Sequence, residues 1–181
     1  MIVVPIDWNV FEYKFSANTR QAFESLAYML FCFELKQEYG VFRYFNQPYI
    51  ETQPVDTGDG YVTGFQAKYY DASTCLSSKE SDLKNTIISA KTKYQGINRI
   101  FLYINKELSS SGNKDEEKPS YQKNIEQCGK DHGIEIEWRV RSNFEKMLLS
   151  NELSVLRDLY FNPKPDMQIS DERNPCHASA V

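Results

Sequence analysis

Tyr61-Val62-Thr63-Gly64-Phe65-Gln66-Ala67-Lys68-Tyr69-Tyr70, residues 61–70, is a β-type run whose alternation decides how the rest of the chain is arranged. In a strand every second side chain shares a face, so Gln66 and Lys68 point to one side and Phe65, Ala67 and Tyr69 to the other. Two polar groups therefore sit where a sheet would ordinarily place hydrocarbon. The run is preceded by Asp56-Thr57-Gly58-Asp59-Gly60, in which glycines and short polar side chains tolerate positive φ and predict a hairpin. Asp56 and Asp59 are accounted for as turn residues. Tyr49 to Val55 is the other arm, which brings Ile50-Glu51-Thr52 alongside the Gln66 face.

Upstream, Val41 to Phe45 reads as a further short strand. Asn18 followed by Gln21 predicts a helix start of the capping-box type. That helix runs to about Tyr39, buries Phe23, Leu26, Ala27, Leu30, Phe31 and Leu35 at spacings of three and four, and stops at Gly40. Met1 to Phe15 lacks a clear helical period and is expected to be extended over the fold. Downstream, Asp71 to Lys79 is polar and turn-like, and Glu80 to Tyr94 forms a helix with Leu83, Ile87, Ala90 and Tyr94 on one stripe. Arg99 to Asn105 is nearly all apolar and suits a strand covered on both faces. Lys106 to Lys118 is a solvated loop, Pro119 opens a helix to about His132, and Gly133 ends it. Ile134 to Val140 alternates as a half-exposed strand, and short helices follow at about Asn143 to Leu149 and Glu152 to Tyr160. Helices and strands in this order make an α/β fold, a mixed β-sheet flanked by helices. Residues 1–164 form one domain and 165–181 a flexible tail or linker.

The 181 residues, 41% hydrophobic and 25% charged, have the balance of one globular domain. A formal net charge of -4 excludes a protein coated with basic charge, so any nucleic acid must be met locally. The longest apolar run, Leu26 to Phe33, falls far short of the roughly 20 residues that span a bilayer. With no basic n-region or small-residue cleavage site at its start, the chain is expected to be cytoplasmic, without a membrane partner. Four scattered cysteines without a CxxC, and two histidines, argue against a zinc site or a disulfide framework.

A carboxylate from Glu51, an amide oxygen from Gln66 and an ammonium from Lys68 would suit metal-assisted attack on a phosphodiester. Oxygen ligands hold a hard cation, which polarises phosphoryl oxygen and lowers the pKa of bound water, and the ammonium offsets developing charge. Each piece also has a plainer explanation: a solvent-facing QxK, a surface Glu51, a Glu24 on the polar edge of its helix. Tyr69, Tyr70, Tyr94 and Tyr103 either stack on bases or fill the core. Lys84, Lys91 and Lys93, with Arg99 just beyond, either contact phosphates or cover a solvated helix face.

The ordered set Phe23-Glu24-Ser25-Leu26, Tyr49-Ile50-Glu51-Thr52-Gln53-Pro54-Val55 and Gly64-Phe65-Gln66-Ala67-Lys68-Tyr69-Tyr70 resembles the PD-(D/E)xK nuclease superfamily. More narrowly it is similar to the Mrr-like nuclease domains at the N-terminus of prokaryotic STAND-type NTPases implicated in antiphage defence, in which the (D/E)xK string appears as QxK. Ile100 to Leu108 and Leu159-Tyr160-Phe161 are also similar to segments of such domains, so the resemblance covers roughly Thr19 to Phe161. It implies a restriction-endonuclease-like core and a Mg2+- or Mn2+-dependent endonuclease acting on double-stranded DNA. Glu51, Gln66 and Glu24 would be metal-binding and catalytic, Lys68 the catalytic lysine, and Lys84, Lys91 and Lys93 would contact DNA. Gln66 in place of an acid removes a negative charge from the metal site and lowers the expected cation affinity. Activation through a larger NTPase or sensor chain, or through self-association, is implied too. The alternatives are a nuclease-fold module that binds nucleic acid or a partner without cutting, and an RNA-directed nuclease.

Overall fold

A computed structural model describes residues 6–37, 49–109 and 118–163. The expected strand at 41–45 and the tail at 165–181 lie outside the described residues. Among the described residues the order is α1 (Trp8–Lys14), α2 (Thr19–Glu34), β1 (Val55–Asp56), β2 (Val62–Lys68), α3 (Glu80–Lys93), β3 (Arg99–Ile104), α4 (Ser120–Asp131), β4 (Glu135–Arg139), α5 (Arg141–Leu148) and α6 (Ser154–Phe161). A short 3₁₀ turn, Leu76–Lys79, leads into α3.

The sheet has the order β1-β2-β3-β4. β1 is antiparallel to β2, whereas β2, β3 and β4 are parallel. Helices cover both faces. On one, Phe65, Phe101 and Tyr103 pack with Phe23, Leu30 and Phe31 of α2 and with residues of α1, α5 and α6. On the other, Ile100, Leu102 and Ile104 pack with Leu83 and Ile87 of α3 and Ile125 of α4. The run at 99–105 is thus covered twice, as its composition demands. Arg139 of β4 fixes the end of α2 to the sheet: its Nε donates to Glu34 Oε2 at 2.7 Å while the guanidinium lies 4.3 Å from the Phe101 ring centroid.

Three expectations are corrected. Within the expected extended segment Trp8–Lys14 is helical, because Asp7 caps it by accepting from the Asn9 amide at 2.9 Å and Trp8 and Phe11, three apart, bury together against Phe161, while residues 1–5 lie outside the described residues. Asn18 makes no side-chain cap bond, so no capping box forms, and Thr19 Oγ1 instead donates to the Phe15 carbonyl at 3.0 Å. α2 ends at Glu34, not Tyr39. Lys36 adopts φ 54, and the Lys36 and Gln37 amides close back onto Phe33 and Cys32, each at 3.0 Å, a Schellman-type stop. A Cβ in that conformation is strained, so Lys36→Gly is expected to stabilise the fold by about 0.5–1 kcal/mol. Thermal melts should show this as a rise of about 2–4 °C per kcal/mol.

The Tyr49–Val55 arm is also less regular than expected. Pro54 has no N–H to give, only Val55–Asp56 form the ladder, and contact resumes where the Glu51 amide donates to the Phe65 carbonyl at 2.9 Å. The turn at 56–60 matches its sequence: Gly58 and Gly60 have φ 74 and 89, and Asp56 and Asp59 accept from the Gly58 and Tyr61 amides. Arg99 seals it, donating to Asp59 at 3.1 Å and Thr57 at 3.0 Å.

Two asparagines finish the β2–β3 pair. Asn98 accepts from the Val62 amide at 2.7 Å and donates to the Gly60 carbonyl at 3.1 Å. At the other end Asn105 accepts from the Tyr70 amide at 2.8 Å and donates to its carbonyl at 2.9 Å. Each carboxamide supplies the two bonds that a further backbone rung would make.

Candidate functional site

Gly64 begins the site by having no side chain. A Cβ there would meet Ile50 Cδ1 at 2.8 Å and Ile97 Cδ1 at 3.2 Å, so its absence lets Ile50 seat against β2. The neighbouring Glu51 is thereby carried against the strand and is only 4% exposed; Gln66 is 3% exposed. Gln66 Nε2 donates to Glu51 Oε1 and, at 3.3 Å, to the Ala67 carbonyl. The hairpin therefore joins the two residues as the alternation of β2 requires. Among the described residues Gln66 Oε1 is buried with no hydrogen-bond partner. An orphaned buried oxygen costs about 1–3 kcal/mol, and a water or an ion is the usual occupant that removes the cost.

Lys68, two residues on and on the same face, reaches a cleft of about 610 Å³ at the C-terminal end of β2. Glu24 of α2 lines the same cleft as Lys68, whereas Glu51 and Gln66 are not among the described residues that line it. The cleft also takes in Tyr70 and, among residues that sequence reading missed, Arg20 from the first turn of α2, Lys79 and Asp82 from the start of α3, and Asp71 from the end of the strand. Lys68 Nζ stands 3.4 Å from Asp82 Oδ2. Burial, with the Asp82 carboxylate beside it, pushes the Tyr70 hydroxyl well above the ordinary tyrosine range, so it is a neutral donor. The Lys79 ammonium lies 5.9 Å from the Tyr70 ring centroid.

The other three lysines are placed differently. Lys84 pairs with Glu80 at 2.6 Å, and Glu80 also accepts from Asn124 of α4, so this group joins two helices. Lys91 donates to the Ile97 carbonyl at 2.9 Å, closing the turn from α3 into β3. Lys93 is exposed in the last turn of α3, about 16 Å along the axis from Asp82 at 1.5 Å per residue. None of the three lines the cleft. Tyr69, Tyr70 and Tyr103 are buried, Tyr103 completely; Tyr69 donates to Glu12 of α1 at 2.5 Å, and Tyr69 and Tyr70 also reach the cleft wall.

Among the described residues no three His, Cys, Asp or Glu side chains converge as a metal-binding group. What meets the Glu51 carboxylate is the Nε2 of Gln66, so the pair would present two oxygens to a hard cation only after the Gln66 carboxamide turns its orphaned Oε1 toward Glu51. Among the described residues no helix is long and apolar enough to cross a membrane. Compared with known proteins, the chain matches no family model and no curated sequence.

Proposed function

We propose that the chain is a Mg2+- or Mn2+-dependent endonuclease domain of the PD-(D/E)xK type, with a restriction-endonuclease-like core, that hydrolyses phosphodiester bonds in double-stranded DNA. The observation that carries this reading is the buried Glu51–Gln66 pair with its unsatisfied amide oxygen, on the strand that ends in Lys68 over a cleft. Glu51 would hold the cation, joined by the Gln66 oxygen once its carboxamide turns, and the cation would supply Lewis-acid polarisation of a phosphoryl oxygen and a more acidic bound water. The Lys68 ammonium supplies charge against the phosphorane oxygens, and Glu24 accepts hydrogen bonds at the cleft wall. Arg20 and Lys79 offer phosphate contacts on the two rims, in place of Lys84, Lys91 and Lys93. The resemblance to Mrr-like domains extends the reading to an effector role in antiphage defence, switched on by a larger NTPase or sensor chain or by self-association.

The pairing of Lys68 with Asp82 favours a second reading, in which the lysine is structural and the domain binds nucleic acid or a partner without cutting. Supercoiled plasmid incubated with concentrated protein and Mg2+ or Mn2+ separates the two. The nuclease reading expects nicking or linearisation by the wild type and loss of at least about 100-fold in Lys68→Ala, the size of effect seen when one electrostatic stabiliser is removed. Cleavage retained at the wild-type level by Lys68→Ala sinks it. A protein silent alone and still silent when fused into a forced dimer is the binding module.

A further inference from the structure

Asp82 is the cleft residue whose position the proposed chemistry leaves unused. It stands in the first turn of α3, where a carboxylate is favoured by the helix dipole, yet its Oδ2 is turned to Lys68 Nζ at 3.4 Å. The two partners differ in exposure: the Lys68 side chain is 22% exposed and the Asp82 side chain 53%. The ammonium is thus held from the solvent side by a carboxylate at the mouth of the cleft. Among the described residues that line the cleft the charges balance, with Arg20, Lys68 and Lys79 against Glu24, Asp71 and Asp82. Such a cleft attracts a polyanion only weakly, and a phosphate that reaches Lys68 must take the place of the Asp82 carboxylate.

We propose that Asp82 is a positioning residue that holds the Lys68 ammonium in the free protein and surrenders it to a backbone phosphate of duplex DNA. The inference rests on the nuclease reading and names how substrate is admitted to that site. Holding costs affinity, since every productive encounter breaks an ion pair before it makes one. The regulation is local: the same contact that lowers DNA affinity presents the ammonium in the place where phosphate arrives.

The test uses the full chain and a short duplex as probe, with binding measured in the absence of divalent metal so that no cleavage intervenes. Asp82→Asn is expected to tighten duplex binding by about two- to fivefold, the range set by a partly exposed ion pair. In the Lys68→Ala background the same substitution is expected to change nothing, because the partner it frees is gone. With Mg2+ present, Asp82→Asn lowers KM by the same factor and leaves kcat within about twofold, a split that a general loss of structure does not produce. Asp82→Ser serves as the second variant, and circular dichroism melts confirm that both are folded. No tightening, or equal tightening with Lys68 absent, overturns the exchange and leaves simple repulsion. A wild type that binds no duplex overturns it as well. Coupled binding without plasmid nicking keeps the exchange and removes the nuclease reading instead, so the two failures are distinguishable.

Discussion

Glu51→Gln will abolish the protein's stabilisation by Mg2+ together with about 10²- to 10³-fold of plasmid cleavage. The reason lies in charge. Glu51 is 4% exposed, and its carboxylate accepts from Gln66 Nε2. The isosteric amide removes that charge and keeps an oxygen to accept from Gln66 Nε2. A cation, however, is attracted by the charge itself. Mg2+ at 100 times its Kd would stabilise the wild type by about 2.7 kcal/mol through mass action. Paired thermal melts with and without the ion check this, and a metal-dependent shift that persists in Glu51→Gln would place the ion elsewhere.

The largest loss of stability is expected at Phe65→Ala, about 3–5 kcal/mol. Phe65 is fully buried, its ring centroid 4.8 Å from that of Phe31 and 5.9 Å from Tyr103 in an edge contact. Truncation leaves a cavity between α2 and the middle of the sheet, bounded by large rings that cannot collapse without moving the backbone. At about 2–4 °C per kcal/mol the melting temperature falls by about 6–20 °C. Val155→Ala, at a position 80% exposed, is the control and should stay within about 0.5 kcal/mol. Equal melts for the two variants would contradict the packing described for β2.

The parts of the fold that were legible in the sequence are those with long, uniform patterns. The RIFLYI run admits only a doubly covered strand, and the α2 face repeats over four turns. Alternation along β2 also placed Gln66 and Lys68 on one face, and the glycine-rich turn placed Glu51 beside Gln66, because a short hairpin leaves little freedom. What escaped reading depends on contacts between distant segments. In α1, Trp8 and Phe11 make a stripe too short to show a period, and only the aromatic residues of α5 and α6 give it a surface to cover. The end of α2 was assigned to Gly40 because glycine usually takes the left-handed position, which Lys36 in fact occupies. Asp82 and Arg20 join the cleft from two different helices, and no spacing along the chain relates them to Lys68. The lysines of α3 illustrate the converse: composition drew attention to them, while the packing of α3 on α4 gave Lys84 another partner.

The two carboxamides at the ends of the β2–β3 pair bear on a hazard peculiar to sheets. A parallel strand that slips by two residues keeps every side chain on its proper face, so hydrophobic matching alone does not penalise the error. For β2 such a slip would carry Lys68 about 6.6 Å along the sheet, at 3.3 Å per residue, away from the cleft and from the start of α3. Asn98 and Asn105 oppose it, because they bond the two ends of β2, next to its turn at Gly60 and Val62 and where it leaves the sheet at Tyr70, and a slip draws both ends away from their carboxamides. They act as end stops on a sliding scale, and the zero they set is the placement of the lysine.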